Sequence, residues 1–407
     1  MLCRLYIISL FIPLEAFVKL GPLRLEPYRV LLIIGFFTWL KKGTSDNSHF
    51  VLVCFVLFSG FALVVNHGVA AALPPGGILF LEVCTSYMIG VMYVRNRRDH
   101  EKYFKLFSRL YMLIAIPSFI EFFTGFKVMH TLFEQLTGNI QLDRDLYTEA
   151  YVRFGFTRTT ATFGHPILYA ISSVTVIPII LAINKNNNAR LFTYLVSLSG
   201  LITAVITAVT SAAIIGIVLQ ETFKKWYRIR DKIGGLKQVI TTSIYLSMII
   251  IQFASNRGLV KFLAMSMTLD PSTAYYRTLQ WEFTADDISS HLYFGIGNNE
   301  FTHPAWFMPS IDSYWLLNML QFGLFSQIAL LYFFAQMIKK TFLKSSSKEN
   351  LELLLAYRVL LISVLFLGLT VDFFDRMQPM LYFILGTSSW LFKEEKLKNA
   401  NKTISKR

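Results

Sequence analysis

The chain has 407 residues, of which 54% are apolar and only 16% charged, with a mean hydropathy of +0.50 and a formal net charge of +14. Soluble domains carry about a quarter charged residues, and a soluble chain of this length divides into two or three domains joined by polar linkers, none of which appears. The excess of basic residues sits in short clusters between apolar runs, not in one patch interleaved with aromatics, which argues against a nucleic-acid surface and for the ends of membrane helices.

Apolar runs fall near 3–18, 28–40, 50–66, 77–94, 104–123, 163–183, 191–207, 210–223, 238–254, 313–337, 354–371 and 376–392. A hydrocarbon core of about 30 Å needs roughly 20 helical residues. The expected fold is therefore all-α, a polytopic integral membrane protein of about twelve transmembrane helices forming one membrane domain over 1–407. The first run follows Arg4 but is interrupted by Pro13 and Glu15 without a small-residue cleavage site, so it reads as a first membrane segment and not as a removed signal. Cys3, Cys54 and Cys84 lie in or beside apolar runs without ligand spacing and read as buried packing thiols. Glu82 is the main acid inside an apolar run.

With the N-terminus inside, the stretches on that side hold 26 Lys and Arg, and the opposite stretches hold 11. Basic residues are retained in the cytoplasm, so both termini are expected there. Two long outer loops remain, 124–162 and 254–312. Long loops in compact proteins tend to be functional, and these carry Phe, Trp, Tyr and isolated charges instead of low-complexity sequence. The tail from Lys393 to Arg407 is charged and suited to contact with anionic lipid.

Arg158 ends the first outer loop, a few residues before Phe163-Gly164-His165-Pro166 and a membrane run. Its rigid fork of donors suits phosphate oxygens, while its position alone suits snorkelling to headgroups. His165 before a proline reads first as a helix-entry residue. The second loop contains Tyr275-Tyr276-Arg277, Trp281-Glu282, and Gly295-Ile-Gly297-Asn298-Asn299, followed by Asp312-Ser313-Tyr314-Trp315 and later Gly323-Leu324. Arg277 and Glu282 are five apart, a spacing that does not favour an intrahelical pair. Asp312 opens a membrane run, which suits an N-cap as well as a base. Asp372, Asp375 and Arg376 read as a solvated connection.

Taken in order, an arginine before a Phe-x-His-Pro helix entry, an Arg-x3-Trp on the second outer loop, a Gly-Ile-Gly turn and an aromatic helix ending at Gly-Leu resemble the O-antigen ligase and polymerase family of bacterial surface-polysaccharide assembly. The resemblance covers roughly Arg158 to Leu324 by motif and the whole chain by hydropathy. The chain has Asp312-Ser313 where ligases carry a His-Asn pair, which favours a polymerase. It has Ser211-Ala-Ala where the family shows a Ser-Arg-Gly element. The resemblance implies a glycosyltransferase in the bacterial inner membrane that polymerises undecaprenyl-pyrophosphate-linked oligosaccharide units for O-antigen, capsule or exopolysaccharide. A flippase and a chain-length regulator are the implied partners. Arg158 and Arg277 would hold the pyrophosphate, Asp312 or Glu282 would accept the acceptor proton, and His165, Asn298 and Asn299 would support them. No metal-ligand cluster is visible in the sequence, so neither metal nor cofactor is expected. Ligase-type transfer to another acceptor and a polysaccharide flippase or transporter are the alternative readings.

Overall fold

Pro13 cannot continue a helix, and the first helix stops short of it. In the computed structural model, which describes the chain apart from residues 22, 44–45, 140–151, 187–190, most of 231–270, 346 and 405–407, only Leu2–Ser9 is helical (α1). The expectation of a membrane-length helix over 3–18 is thus corrected. The chain turns after α1 into a short antiparallel hairpin, β1 (Val18–Leu20) and β2 (Leu23–Leu25), and enters α2 (Pro27–Lys42) with Pro27 in the first turn and Gly43 as a left-handed C-cap.

Among the described residues 75% are helical and 3% are in strands. Among the described residues five helices are long and apolar enough to cross a membrane: Asn47–Tyr93, Arg97–Thr124, Pro166–Lys185, Tyr314–Lys340 and Lys348–Leu367. Leu191–Thr207 is a shorter apolar helix. The chain is a helical protein of membrane character.

The 47-residue segment Asn47–Tyr93 is two limbs. α3 (Asn47–Phe80) contains Gly68 at φ 77° and ψ 165°, outside helical space. Tyr87 donates its hydroxyl to Asp46 at 3.0 Å, although at 1.5 Å per residue a straight helix would set them about 60 Å apart. A Cβ on Gly76 would lie 4.0 Å from the Gly60 Cα. The chain therefore folds back at Gly68, and the expected connection over 66–77 is a sharp reversal with helix on both sides. A π-turn, Leu81–Thr85, follows, then α4 (Ser86–Tyr93). The π-turn turns Glu82 inward, where it accepts from Tyr28 at 2.8 Å and pairs with Arg29 at 2.9 Å.

A second reversal lies in the long helix near the C-terminus. Within Tyr314–Lys340, Gly323 has φ 74° and ψ −172°, and the Trp315 and Phe334 rings are 5.4 Å apart where a straight helix would separate them by about 28 Å. The two hairpins pack side by side, with the Ser59 and Ser326 hydroxyls 2.7 Å apart between them. Their tips meet as well. Asn66 donates to the carbonyls of Phe294 and Gly295, and the Asn298 amide donates to His67 Nε2 at 2.7 Å.

Between the hairpins run α5 (Arg97–Thr124), α6 (Val128–Thr137), a β3–β4 turn (Val152–Arg153, Phe156–Thr157), α7 (Pro166–Asn186), α8 (Leu191–Thr207) and α9 (Ser211–Ile229). Pro178 interrupts α7 and leaves the Val174 carbonyl without its helical donor, and the buried Gln220 of α9 donates to it at 3.0 Å. The next helices are α10 (Pro271–Ser290), α11 (Tyr314–Lys340), α12 (Lys348–Leu367), α13 (Met377–Gly386) and α14 (Ser389–Ile404). The expected run 376–392 is thereby split at Thr387–Ser388, whose hydroxyls turn back onto the carbonyls of Ile384 and Leu385. The expected run 238–254 lies almost wholly outside the described residues. One continuous apolar core joins α1–α5 and α7–α9 to α11–α14. Cys3 and Cys84 are buried in it as free thiols, whereas Cys54 is partly exposed and is not the buried thiol expected.

Candidate functional site

The segment Arg158–His165 is held as an ordered strap across the helix ends. Glu121, buried in the last turn of α5, accepts from the Thr160 amide and hydroxyl at 2.9 and 2.8 Å and from the Ala161 amide at 3.0 Å. His130 bridges the Thr160 hydroxyl (3.2 Å) to the buried Glu15 (2.9 Å). From the other side Arg376, fully buried, donates to the Thr162 carbonyl at 2.6 Å and pairs with Glu26 at 3.1 Å, while Asp375 accepts from the Gly164 amide. The expectation that Asp372–Arg376 is a solvated connection is corrected: Arg376 is a structural cation buried beneath the strap.

Backbone strain concentrates here. Ala161, Val209 and Asp375 all have φ between 45° and 55°, a region that residues with a Cβ rarely enter and that is especially costly for a β-branched valine. Each adjoins the strap. Ala161 lies within it, Asp375 bonds to it, and Val209 follows the carbonyl of Ala208 that accepts from Arg158 Nε at 3.3 Å. Strain of this kind, about 1–3 kcal/mol per residue, persists where the surroundings over-determine it and is concentrated at functional sites.

Arg158 is only 5% exposed, which does not fit a side chain snorkelling freely among headgroups. Two residues beyond the strap's apolar Phe163, His165 accepts from the Ile167 amide through Nδ1 at 3.1 Å and so opens α7. Burial, reinforced by Arg158, Arg153 and Lys127, depresses the His165 imidazole to about 3 and keeps it neutral at physiological pH.

The second outer loop supplies the other half. Its helix α10 packs on the returning chain through Leu279, Ile296, Phe301, Phe307 and Leu320, with Tyr276 stacked on Phe307 at 4.5 Å. This platform carries Arg277, which is 4% exposed, and faces it to Asp312 with Nε 3.7 Å from Oδ2. Gln280, one turn along, accepts from the Asp312 amide at 3.2 Å and donates to the Ser310 carbonyl at 2.9 Å, so both bonds hold the acid in place. Part of the Asp312 side chain reaches the surface, yet the protein packed around it raises its pKa, with Arg277 and Gln280 acting in the opposite sense. Burial lowers the Arg277 pKa against the pull of Asp312.

Asp312 is not the N-cap of α11. Ser313 is, its hydroxyl accepting from the Leu316 amide at 3.3 Å. Glu282 is exposed on α10, and the carboxylate set against the Arg277 guanidinium is that of Asp312. Asn298 and Asn299 are exposed on the turn after Gly297, where their amides meet His67 and the Ile296 carbonyl. That turn is locked to the α11 reversal, with Ile296 and Gly297 amides donating to Leu320 and Gln321 carbonyls and Leu324 to Leu292.

Two residues to which the sequence reading gave no part in the site join the halves. Arg153, on the β3–β4 turn, acts electrostatically on both His165 and Arg277, placing the strap and the α10 platform in one basic field. Asp372, just after α12, is raised to about 7 by burial, and the charge of Asp312 adds to the rise. The ensemble offers fixed guanidinium groups for an anion beside acids whose environment favours a proton. Among the described residues no group of three or more His, Cys, Asp and Glu side chains is disposed to hold a metal. No protein-family model matches this chain, and no curated protein matches it in sequence.

Proposed function

We propose that the chain is a membrane glycosyltransferase that polymerises polyprenyl-pyrophosphate-linked oligosaccharide units, with the reaction at the outer face of a bacterial inner membrane. The observation that carries this reading is the burial of Arg158 and Arg277, each on an ordered outer segment, with Asp312 set against Arg277. An acceptor sugar hydroxyl attacks the anomeric carbon of the donor unit. The bond from that carbon to the pyrophosphate oxygen breaks, and the electron pair leaves with the pyrophosphate. Fixed cations in a water-poor site stabilise that developing charge. Asp312, already biased toward holding a proton, takes the proton of the acceptor hydroxyl.

The proposal also places both termini in the cytoplasm, supported by the 26 to 11 asymmetry of basic residues. It also includes a flippase that delivers the lipid-linked unit and a chain-length regulator that acts on the product. Glu82, the acid that would best suit a transporter pathway, is instead paired with Arg29 and Tyr28, which gives it a structural role. The test is reconstitution with purified lipid-linked repeat units. A ladder of lengthening glycan supports polymerisation. Transfer to a foreign acceptor without lengthening would make the enzyme a ligase, and no transfer of any kind would remove the glycosyltransferase reading.

A further inference from the structure

Away from the outer site, a cleft of about 590 Å³ runs between the first limb of α3 and the second limb of α11, walled by Phe50, Cys54, Phe58, Phe325, Ile328 and Tyr332. Its walls are almost wholly apolar. At one end it shares Asn47, Tyr332 and Gln336 with a second hollow of about 320 Å³ that Lys339 and Lys340 complete. From Asn47 to Phe58 the α3 limb rises about 16 Å, close to half of a hydrocarbon core of about 30 Å. The groove thus has the length of one leaflet, greasy along its run and cationic at its mouth.

The mouth has further features suited to a headgroup. Lys393 and Lys396 stand within electrostatic reach of Lys340, and the Lys340 ammonium donates to Ser48 at 2.5 Å, which fixes its direction. Asp46, the acid that acts on Lys340, is engaged by the His49 amide and the hydroxyls of Tyr87 and Ser389. Gln336 Oε1 is buried and has no hydrogen-bond partner among the described residues. An amide so placed can offer its oxygen to a headgroup hydroxyl or, turned over, its NH₂ to a phosphate oxygen.

We propose that this groove holds one anionic glycerophospholipid, its phosphate at Lys339 and Lys340 and an acyl chain along Phe50, Cys54, Phe58 and Phe325. This inference rests on the membrane character of the chain and not on the glycan reading, and its readout is bound lipid, so either can fail alone. In the proposed orientation the occupied leaflet is the cytoplasmic one.

The test is native mass spectrometry of the full chain exchanged from detergent into phosphatidylglycerol or phosphatidylcholine of the same acyl composition. One phosphatidylglycerol should be retained per chain in preference to phosphatidylcholine. The double variant Lys339→Gln with Lys340→Gln should reduce that preference by about thirtyfold, as expected for the loss of two lysines near an anionic surface. Cys54→Trp, which fills the groove, should lose both lipids. Should the lysine variant not fold, the wild-type thiol provides a second measurement. Cys3 and Cys84 are buried and Cys54 is not, so phosphatidylglycerol should protect Cys54 from a small maleimide at lower concentration than phosphatidylcholine does. Equal retention of the two lipids, retention unchanged in Cys54→Trp, or a dimer that Cys54→Trp dissolves would each overturn the proposal, the last by making a second copy the occupant.

Discussion

Arg277 and Asp312 restrain one another, and the pair gives the sharpest residue-level tests. Replacing Arg158 or Arg277 by Lys keeps the charge but removes the planar fork. Either change is expected to lower polymer formation by about 10²–10³-fold, the loss typical of a charge-stabilising donor, with protein abundance unchanged on an immunoblot. Because Ser313 and not Asp312 caps α11, two neighbouring substitutions separate stability from chemistry. Ser313→Ala should cost about 1 kcal/mol of stability, read as a shift in the melting curve, with turnover per folded molecule retained. Asp312→Asn should leave the melting curve nearly unmoved and reduce turnover by about 10²–10⁴-fold. Near-normal turnover in that variant would remove the base assignment. His165 gives a pH prediction. Its folded pKa of about 3 lies below the ordinary 6.5, so between those values the unfolded chain takes up a proton that the folded chain refuses. Stability from this group is complete above about pH 6.5 and is lost as pH falls toward 3. Buried acids such as Asp312 and Asp372, raised by burial, act in the opposite direction. The wild type should therefore lose more melting temperature between about pH 7 and pH 5 than His165→Gln, whose amide can still accept from Ile167. Arg158, Arg277 and Asp312 were legible in the sequence because each is a charge among apolar residues on a predicted outer loop. Arg376 was not, because its partners Glu26 and Thr162 lie 350 and 214 positions away, and local spacing carries no trace of such a pairing. Asp372 was set aside for the same reason, with Arg376 suggesting a wet turn that the fold makes dry.

At the scale of elements, hydropathy located the helices well and their reversals poorly. The runs 191–207 and 354–371 reappear nearly as expected, and 50–66 with 77–94 as the two limbs of a hairpin. The run 313–337 gave no sign that it doubles back at Gly323, since a reversal inside an apolar environment changes backbone dihedrals and leaves composition untouched. The first run failed for a visible reason, the proline and the acid at 13 and 15, the latter drawn down to His130. The two reversal glycines differ in a testable way. Both sit in dihedral space essentially reserved for glycine, so alanine at either should cost about 1–3 kcal/mol. At Gly68 the added methyl meets nothing within 4 Å. At Gly323 it would stand 2.3 Å from the Tyr293 carbonyl oxygen, which adds an overpacking cost of about 1–3 kcal/mol and pushes apart the Leu324–Leu292 bond. Gly323→Ala should therefore depress the melting temperature clearly more than Gly68→Ala. Equal shifts would mean that the α11 tip is free to move away.

For the molecule as a whole, the distribution of charge across the bilayer sets the expected orientation. Reporter fusions after Lys232 and Ser346 should signal cytoplasm, and fusions near Asn139 and Asp286 the opposite compartment. A cytoplasmic signal at either of the latter would detach the basic field of Arg153, Arg158 and Arg277 from the outer face. The pinning of the strap by Arg376 also bears on biosynthesis. A ribosome adding roughly 5–20 residues per second releases Thr162 some tens of seconds before it reaches its donor 214 positions downstream. Throughout that interval the strap is held by Glu121 and His130, and then by Ala208, but lacks its tie to Arg376, with the strained turns at Ala161 and Asp375 not yet locked together. Nascent chains stalled short of Arg376 should accordingly show the strap open to a protease on the outer face, and release of the stalled chain with Arg376 included should close it.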